Sequence, residues 1–190
     1  MSESCLPVEP ASRSDGLVVV ALGSNLGDSA ELIERAFGVL RKQASSDFRR
    51  SSVWRSAPVD CPPGSPDFLN AVCAWTAAGG DTADRLLDRL QEIERDFGRT
   101  PKRVLNEPRR LDLDIVLFGD AIRADPRLTL PHPRARLRRF VLGPLAELAP
   151  EARWPGTTST VGELLARLGV EAGAASRIDA SEAKRKSRGA

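Results

Sequence analysis

An α+β fold, with helices packed on an antiparallel sheet, is the architecture this chain of 190 residues predicts, and three observations carry it. Three apolar runs have the length and the branched composition of strands: residues 17–22 (LVVVAL), 68–76 (FLNAVCAWT) and 111–118 (LDLDIVLF). Two stretches between them repeat apolar residues at helical spacing, one through Leu32, Ile33, Ala36, Phe37 and Leu40, the other through Leu86, Leu87, Leu90, Ile93 and Phe97. Turn and breaker residues separate the runs. With a shorter strand-like stretch at 48–55, the order is strand, helix, strand, strand, helix, strand, which is the ferredoxin-like arrangement in two layers.

Each element has a local reason. The run 17–22 reads as a central strand, and GSNLGD after it supplies turn residues, with Asp28 or Ser29 placed to cap the helix that follows. APVDCPPGSPD, residues 57–67, carries four prolines that exclude regular structure and make a rigid wall. After the strand 68–76, Gly79, Gly80 and Asp81 lead into the second helix, capped by Thr82 or Asp81 and ended by Gly98. Residues 99–110 form a basic connector to the strand 111–118, which closes on Gly119 and Asp120. A short helix is expected near 161–168. The domain is expected to span 16–170, between a flexible N-terminal extension at 1–15 and a polar tail without structure of its own at 171–190.

The third strand holds the chemistry. Side chains alternate across a strand, so Asp112 and Asp114 share one face while Leu111, Leu113, Ile115 and Leu117 are expected on the other. Two converging carboxylates in an apolar strand call for a cation, whether a metal ion or the guanidinium of a neighbour such as Arg109 or Arg110. Oxygen ligands suit Mg2+, which shares its coordination with waters and substrate phosphates, while an ordinary Asp–Arg pair fits the local pattern equally well. All but four of the 28 basic residues are Arg, many of them between Arg95 and Arg139, and the planar fork of Arg suits phosphate oxygens.

Composition removes several classes of function. Hydrophobic residues at 41% and charged residues at 28% are an ordinary soluble mixture, and no apolar run approaches the ~18 residues of a membrane span, so membrane integration is disfavoured. The polar start of the chain lacks the features of a signal peptide, which makes the cytoplasm the expected location. Cys5, Cys61 and Cys73 fit neither a disulfide framework nor a zinc site and read as reduced and incidental. A net charge of +2, without the exposed aromatics of RNA-reading sheets, argues against a nucleic-acid partner.

Four segments in order, VALGSNLGD, SSVWRSAPV with PDFLNAV, PRRLDLDIVLFGD and LPHPRARLRRFVLGPLAELAP, make the chain similar to the 6-hydroxymethyl-7,8-dihydropterin pyrophosphokinases, over residues 18–150. That family uses the ferredoxin-like fold and moves a pyrophosphoryl group from ATP to a pterin alcohol in folate biosynthesis. The resemblance implies that Asp112 and Asp114 ligate two Mg2+ ions and that Arg99 and Arg109 act beside them on the phosphates. It places Gln91, Glu94, His132 and Arg138 on the ATP side. It puts Phe68 and Phe140 on the faces of the pterin, Asn70 on its polar edge, and Ser56, Ala57 and Val59 along the same pocket. The implied partners are the two small molecules, with no membrane and a monomeric state; a paralogue with another acceptor or nucleotide is the alternative.

One loop departs from the family. Leu105, Asn106 and Glu107 stand where the family carries Arg-Trp-Gly, and Pro101 replaces a frequent Arg. An aromatic and an arginine are thus lost from the loop expected to close over the substrates, with Lys102 or Arg103 as substitutes. Glu107 adds negative charge close to a triphosphate, so weaker ATP binding is expected.

Overall fold

The computed structural model describes residues 16–44, 46–99, 107–169 and 175–178. The expected N-terminal extension, Cys5 and loop positions 101–106 lie outside them. The elements are β1 (Leu17–Ser24), α1 (Ser29–Gln43), β2 (Arg49–Arg50), β3 (Trp54–Ser56), β4 (Phe68–Thr76), α2 (Ala83–Asp96), β5 (Asp112–Phe118), β6 (Arg123–Ala124), β7 (Thr129–Leu130), α3 (Arg139–Leu148), α4 (Val161–Arg167) and β8 (Ala175–Arg177). The main sheet runs β5-β1-β4-β3-β8, with β2 also on β4, and all its pairings are antiparallel. This is the ferredoxin-like order expected from sequence.

Alternation along the strands divides the interior in two. Val18, Val20 and Leu22 of β1 pack with Ala71, Cys73 and Trp75 of β4 beneath α1 and α2. Val19, Val72 and Ala74 face the other way, onto Val141, Leu142 and Leu145 of α3 and Val161 of α4. The βαββαβ part is thus the two-layer sandwich, and the residues after it add helices over the second face of the sheet. Asp28 caps α1 by accepting the Glu31 N–H at 3.0 Å, and Thr82 caps α2 through the Arg85 N–H at 3.3 Å, which settles both open choices.

Three expectations need correction. The strand-like stretch 48–55 divides into β2 and β3, because the Ser51 hydroxyl takes the Val72 N–H at 2.9 Å in place of a ladder carbonyl. Leu117 does not share a face with Leu111, Leu113 and Ile115: the register against β1 shifts between Val19 and Val20, leaving Val116 as an extra residue and turning Leu117 toward α3. Residues 175–178, assigned to the tail, are held in the sheet. There β8 pairs with β3, the Ile178 N–H donates to the Val53 carbonyl at 3.0 Å, and the Ile178 side chain is buried.

Candidate active site

A cleft opens on the α3 side of the sheet, where β1, β4 and β5 reach the loop ends. Asp112, Asp114 and Val116, at alternate positions of β5, form one wall, so the period-two reading of the acid pair holds and the bulge extends that wall by one apolar residue. The bulge also leaves the Val116 carbonyl free to accept the His132 N–H at 3.0 Å, which fixes that loop beside β5. His132 and Arg138 line the same cleft as the acids.

The charged end of the cleft is closed on itself. Arg109 meets the Asp112 carboxylate at 2.8 Å, and Arg99 reaches the same oxygen at 3.5 Å while pairing closely with Glu94. Glu94 lies buried behind β5 and accepts the Leu113 N–H at 2.9 Å, between the two aspartates. Burial pushes its carboxyl up to about 7, against that N–H and the Arg99 guanidinium, which pull it down. Arg99 itself lines a neighbouring hollow with Leu26, Glu107 and Arg109. Gln91 is exposed on α2 and contributes to neither wall. The Arg109 Nε is buried with no hydrogen-bond partner, a donor left open beside the acid pair.

His132 is held neutral. Burial, with the Arg138 and Arg134 charges, lowers its pKa to about 4. Its Nδ1 accepts the Arg134 N–H at 3.3 Å, so the proton is assigned to Nε2, which makes the ring a donor. Arg138 sits over the Phe140 ring at 5.3 Å, a cation–π contact at the junction of the charged and aromatic parts of the cleft.

The other end is neutral and satisfied. Phe68, Asn70, Phe140, Ser56, Ala57 and Val59 all line it. Asn70 is buried and donates from Nδ2 to the Ser56 hydroxyl at 3.0 Å, which leaves its Oδ1 as the acceptor. Gly23 of β1 lies beneath this pair, where a Cβ would stand 3.7 Å from Asn70 Oδ1 and 3.9 Å from the Phe68 ring. Cys61, read as incidental, also lines this end, with its thiol on the Val59 carbonyl at 3.3 Å.

Asn25 is the residue that motif reading passed over. It is 5% exposed, and it exchanges two bonds with Arg109: its N–H donates to the Arg109 carbonyl at 3.1 Å, and its Oδ1 accepts the Arg109 N–H at 2.8 Å. Its Nδ2 reaches the Pro66 carbonyl at 3.3 Å. One amide therefore ties the acid-pair connector to the proline-rich wall. The signal was an Asn directly after an apolar strand, which reads as a turn former until its partners are known.

Residues 19–150 match the model of the family described as 7,8-dihydro-6-hydroxymethylpterin-pyrophosphokinase (HPPK). The chain belongs to this family. A Pseudomonas aeruginosa protein named 2-amino-4-hydroxy-6-hydroxymethyldihydropteridine pyrophosphokinase is 40% identical over 139 residues, 73% of this chain and 83% of that one. A Synechocystis protein of the same name is 36% identical over 147 residues, 77% of this chain and 73% of its own. Among solved structures, an HPPK-DHPS in complex with substrates superposes with a TM-score of 0.62 at 11% identity, covering 79% of this chain and 44% of that one. Plasmodium falciparum HPPK-DHPS A437G gives 0.60 at 14% identity, covering 79% and 45%. The chain spans less than half the length of those HPPK-DHPS chains, and at such identities the likeness is one of fold. With its family established, the chain is an enzyme of the pyrophosphokinase class. Among the described residues no helix is long and apolar enough to cross a membrane.

Proposed function

We propose that this HPPK-family chain catalyses Mg2+-dependent transfer of pyrophosphate from ATP to 6-hydroxymethyl-7,8-dihydropterin, giving AMP and the pterin diphosphate, as a step of folate biosynthesis. The observation that carries this reading is the division of one cleft: a neutral aromatic and amide end for a flat heterocycle, joined to a carboxylate pair edged with arginines.

In this reading Phe68 and Phe140 take the two faces of the pterin. Asn70 Oδ1, already oriented by the Ser56 bond, accepts from the N–H edge of the ring. The ring is thereby set with its hydroxymethyl group toward Asp112 and Asp114. Arg109, Arg138 and the neutral His132, through Nε2–H, donate to the triphosphate, so its β-phosphorus faces the hydroxymethyl oxygen. That oxygen forms a bond to the β-phosphorus, the bond from the β-phosphorus to the α,β-bridging oxygen breaks, AMP leaves with the electron pair, and the hydroxyl proton passes to solvent. A loose transition state asks for charge stabilisation more than for a protein base.

The donor set fits Mg2+. Asp112 and Asp114 offer only oxygen, from one strand face. Among the described residues no group of three or more His, Cys, Asp or Glu side chains forms a cage, so Asp112 and Asp114 would share a bound Mg2+ with waters and substrate phosphates. Bound by Asp112 and Asp114, Mg2+ supplies neutralisation of the triphosphate and orientation of its phosphorus. The test is substrate dependence: turnover is expected only with ATP, Mg2+ and the dihydropterin alcohol together, and turnover indifferent to the pterin would overturn the assignment.

A further inference from the structure

The two walls of the neutral end belong to separate elements, and one contact outside the cleft joins those elements. Phe140 stands at the start of α3, while Phe68 and Asn70 stand on β4, where they pair in register with Ser56 and Trp54 of β3. The Trp54 ring lies against α3 at Gly143, one turn beyond Phe140. A Cβ built on Gly143 would come within 2.6 Å of Cη2, 2.8 Å of Cζ3 and 3.1 Å of Cζ2 of that indole. Only a glycine lets the helix and the ring approach so closely. The indole Nε1–H donates to Glu147 Oε1 at 2.8 Å, one turn further along α3. The same carboxylate accepts the Ser52 N–H at 2.8 Å and the Ser52 hydroxyl at 2.5 Å. Thus α3 is bolted to the strand whose partners are the cleft's own Asn70 and Phe68.

We propose that Trp54, Gly143 and Glu147 set the width of the neutral end of the cleft, as positioning residues that fix Phe140 at one separation from Phe68 and Asn70 and so select a flat, single-ring-thick acceptor. The proposal rests on the pterin reading of that end. None of the three lines the cleft, so their effect is transmitted through α3 and β3. Gly143→Ala must push the helix away from the indole, whereas Trp54→Phe removes the ring atoms that the new methyl would meet.

The test compares KM for the dihydropterin alcohol with KM for ATP in Gly143→Ala, Trp54→Phe, the double variant and Glu147→Gln. Overpacking of this size corresponds to about a tenfold rise in the pterin KM for Gly143→Ala. The double variant should return most of that loss, and KM for ATP should stay within about twofold throughout, because the acid pair is on another wall. Glu147→Gln keeps one acceptor and lies at the surface, so it reports even if Gly143→Ala fails to fold; about a threefold rise confined to the pterin is expected. Unchanged pterin KM in both Gly143→Ala and Glu147→Gln, equal rises in both KM values, or no compensation in the double variant would overturn the proposal while the assigned reaction stands. A wild-type enzyme indifferent to the pterin would instead remove the reading beneath it.

Discussion

The two ends of the cleft differ in what they require before substrate arrives. At the neutral end the Asn70 amide is already held by its bond to the Ser56 hydroxyl, in a cleft end that Phe68 and Phe140 also line. At the charged end the groups hold one another, with Arg109 and Arg99 on Asp112 and Arg99 on Glu94. Neutral hydrogen bonds and aromatic faces keep their geometry when empty, whereas opposite charges in a half-buried site collapse together until a ligand of matching charge separates them. The neutral end is preorganised. Under the proposed reaction the charged end exchanges partners, the arginines turning to phosphate and the aspartates to cation.

Substitutions at the two ends should therefore act on different constants. The largest effect is expected at the acid pair: Asp112→Ala and Asp114→Ala should each lower kcat by roughly a thousandfold or more, with thermal unfolding little changed, because charge stabilisation carries most of the rate in phosphoryl transfer. Near-normal turnover in either would break the distinction between the ends. Next is Asn70→Ala, which strands the buried Ser56 hydroxyl and removes an acceptor. About 1–3 kcal/mol, a rise of roughly fivefold to 150-fold in KM for the pterin with ATP binding unaltered, should follow.

Asn25 joins the ends, so Asn25→Ala sharpens the comparison in another way. It is expected to lower kcat about tenfold and to raise both KM values, since the Arg109 connector and the Pro66 wall are released together and each lost bond is worth about 1 kcal/mol. A change in only one KM would show that the clasp serves a single end.

His132 gives a measure of the charged end without substrate. As the only histidine, it can be followed by NMR, and its pKa should fall near 4 in the free enzyme and rise when nucleotide phosphates are added. The unfolded ring takes a proton near 6.5, above the folded value, so the unfolded state binds more protons between the two. Stability should consequently fall as pH drops from about 6.5 to about 4, by on the order of 2–3 kcal/mol, and His132→Gln should flatten that slope. An unshifted histidine would mean that the wall is open to water. The smallest effect is expected in the connector, where Asn106→Trp with Glu107→Gly should tighten ATP binding by a few-fold through added stacking and lost repulsion. Unchanged affinity on titration would show that this connector leaves the nucleotide alone.

How much of this was legible in the sequence follows the same division. The acid pair, Phe68, Asn70, His132, Arg138 and Phe140 sit in short motifs, and the structure brings all of them to one cleft. Strand alternation and helical spacing also predict the order of elements along the chain, because both are local patterns with a fixed period. What escaped depends on contacts between distant segments. The bulge at Val116 is a register event between β1 and β5, invisible in either strand alone. Glu94 reads as a nucleotide-side residue on a helix face, and nothing in the sequence shows that its carboxylate is buried behind the acid pair, on the Leu113 N–H and the Arg99 guanidinium. Residues 175–178 look like a polar tail because their partner, β3, lies more than a hundred positions earlier. Gly143 is unremarkable as a helical glycine until Trp54 is seen against it.

The identity of the broken bond tests the central claim most directly. With wild-type enzyme, Mg2+, ATP and the dihydropterin alcohol, 31P NMR should show AMP appearing in step with a pterin diphosphate that carries the former β- and γ-phosphorus. Formation of ADP with a pterin monophosphate, or no reaction of ATP in the presence of the pterin, would contradict it.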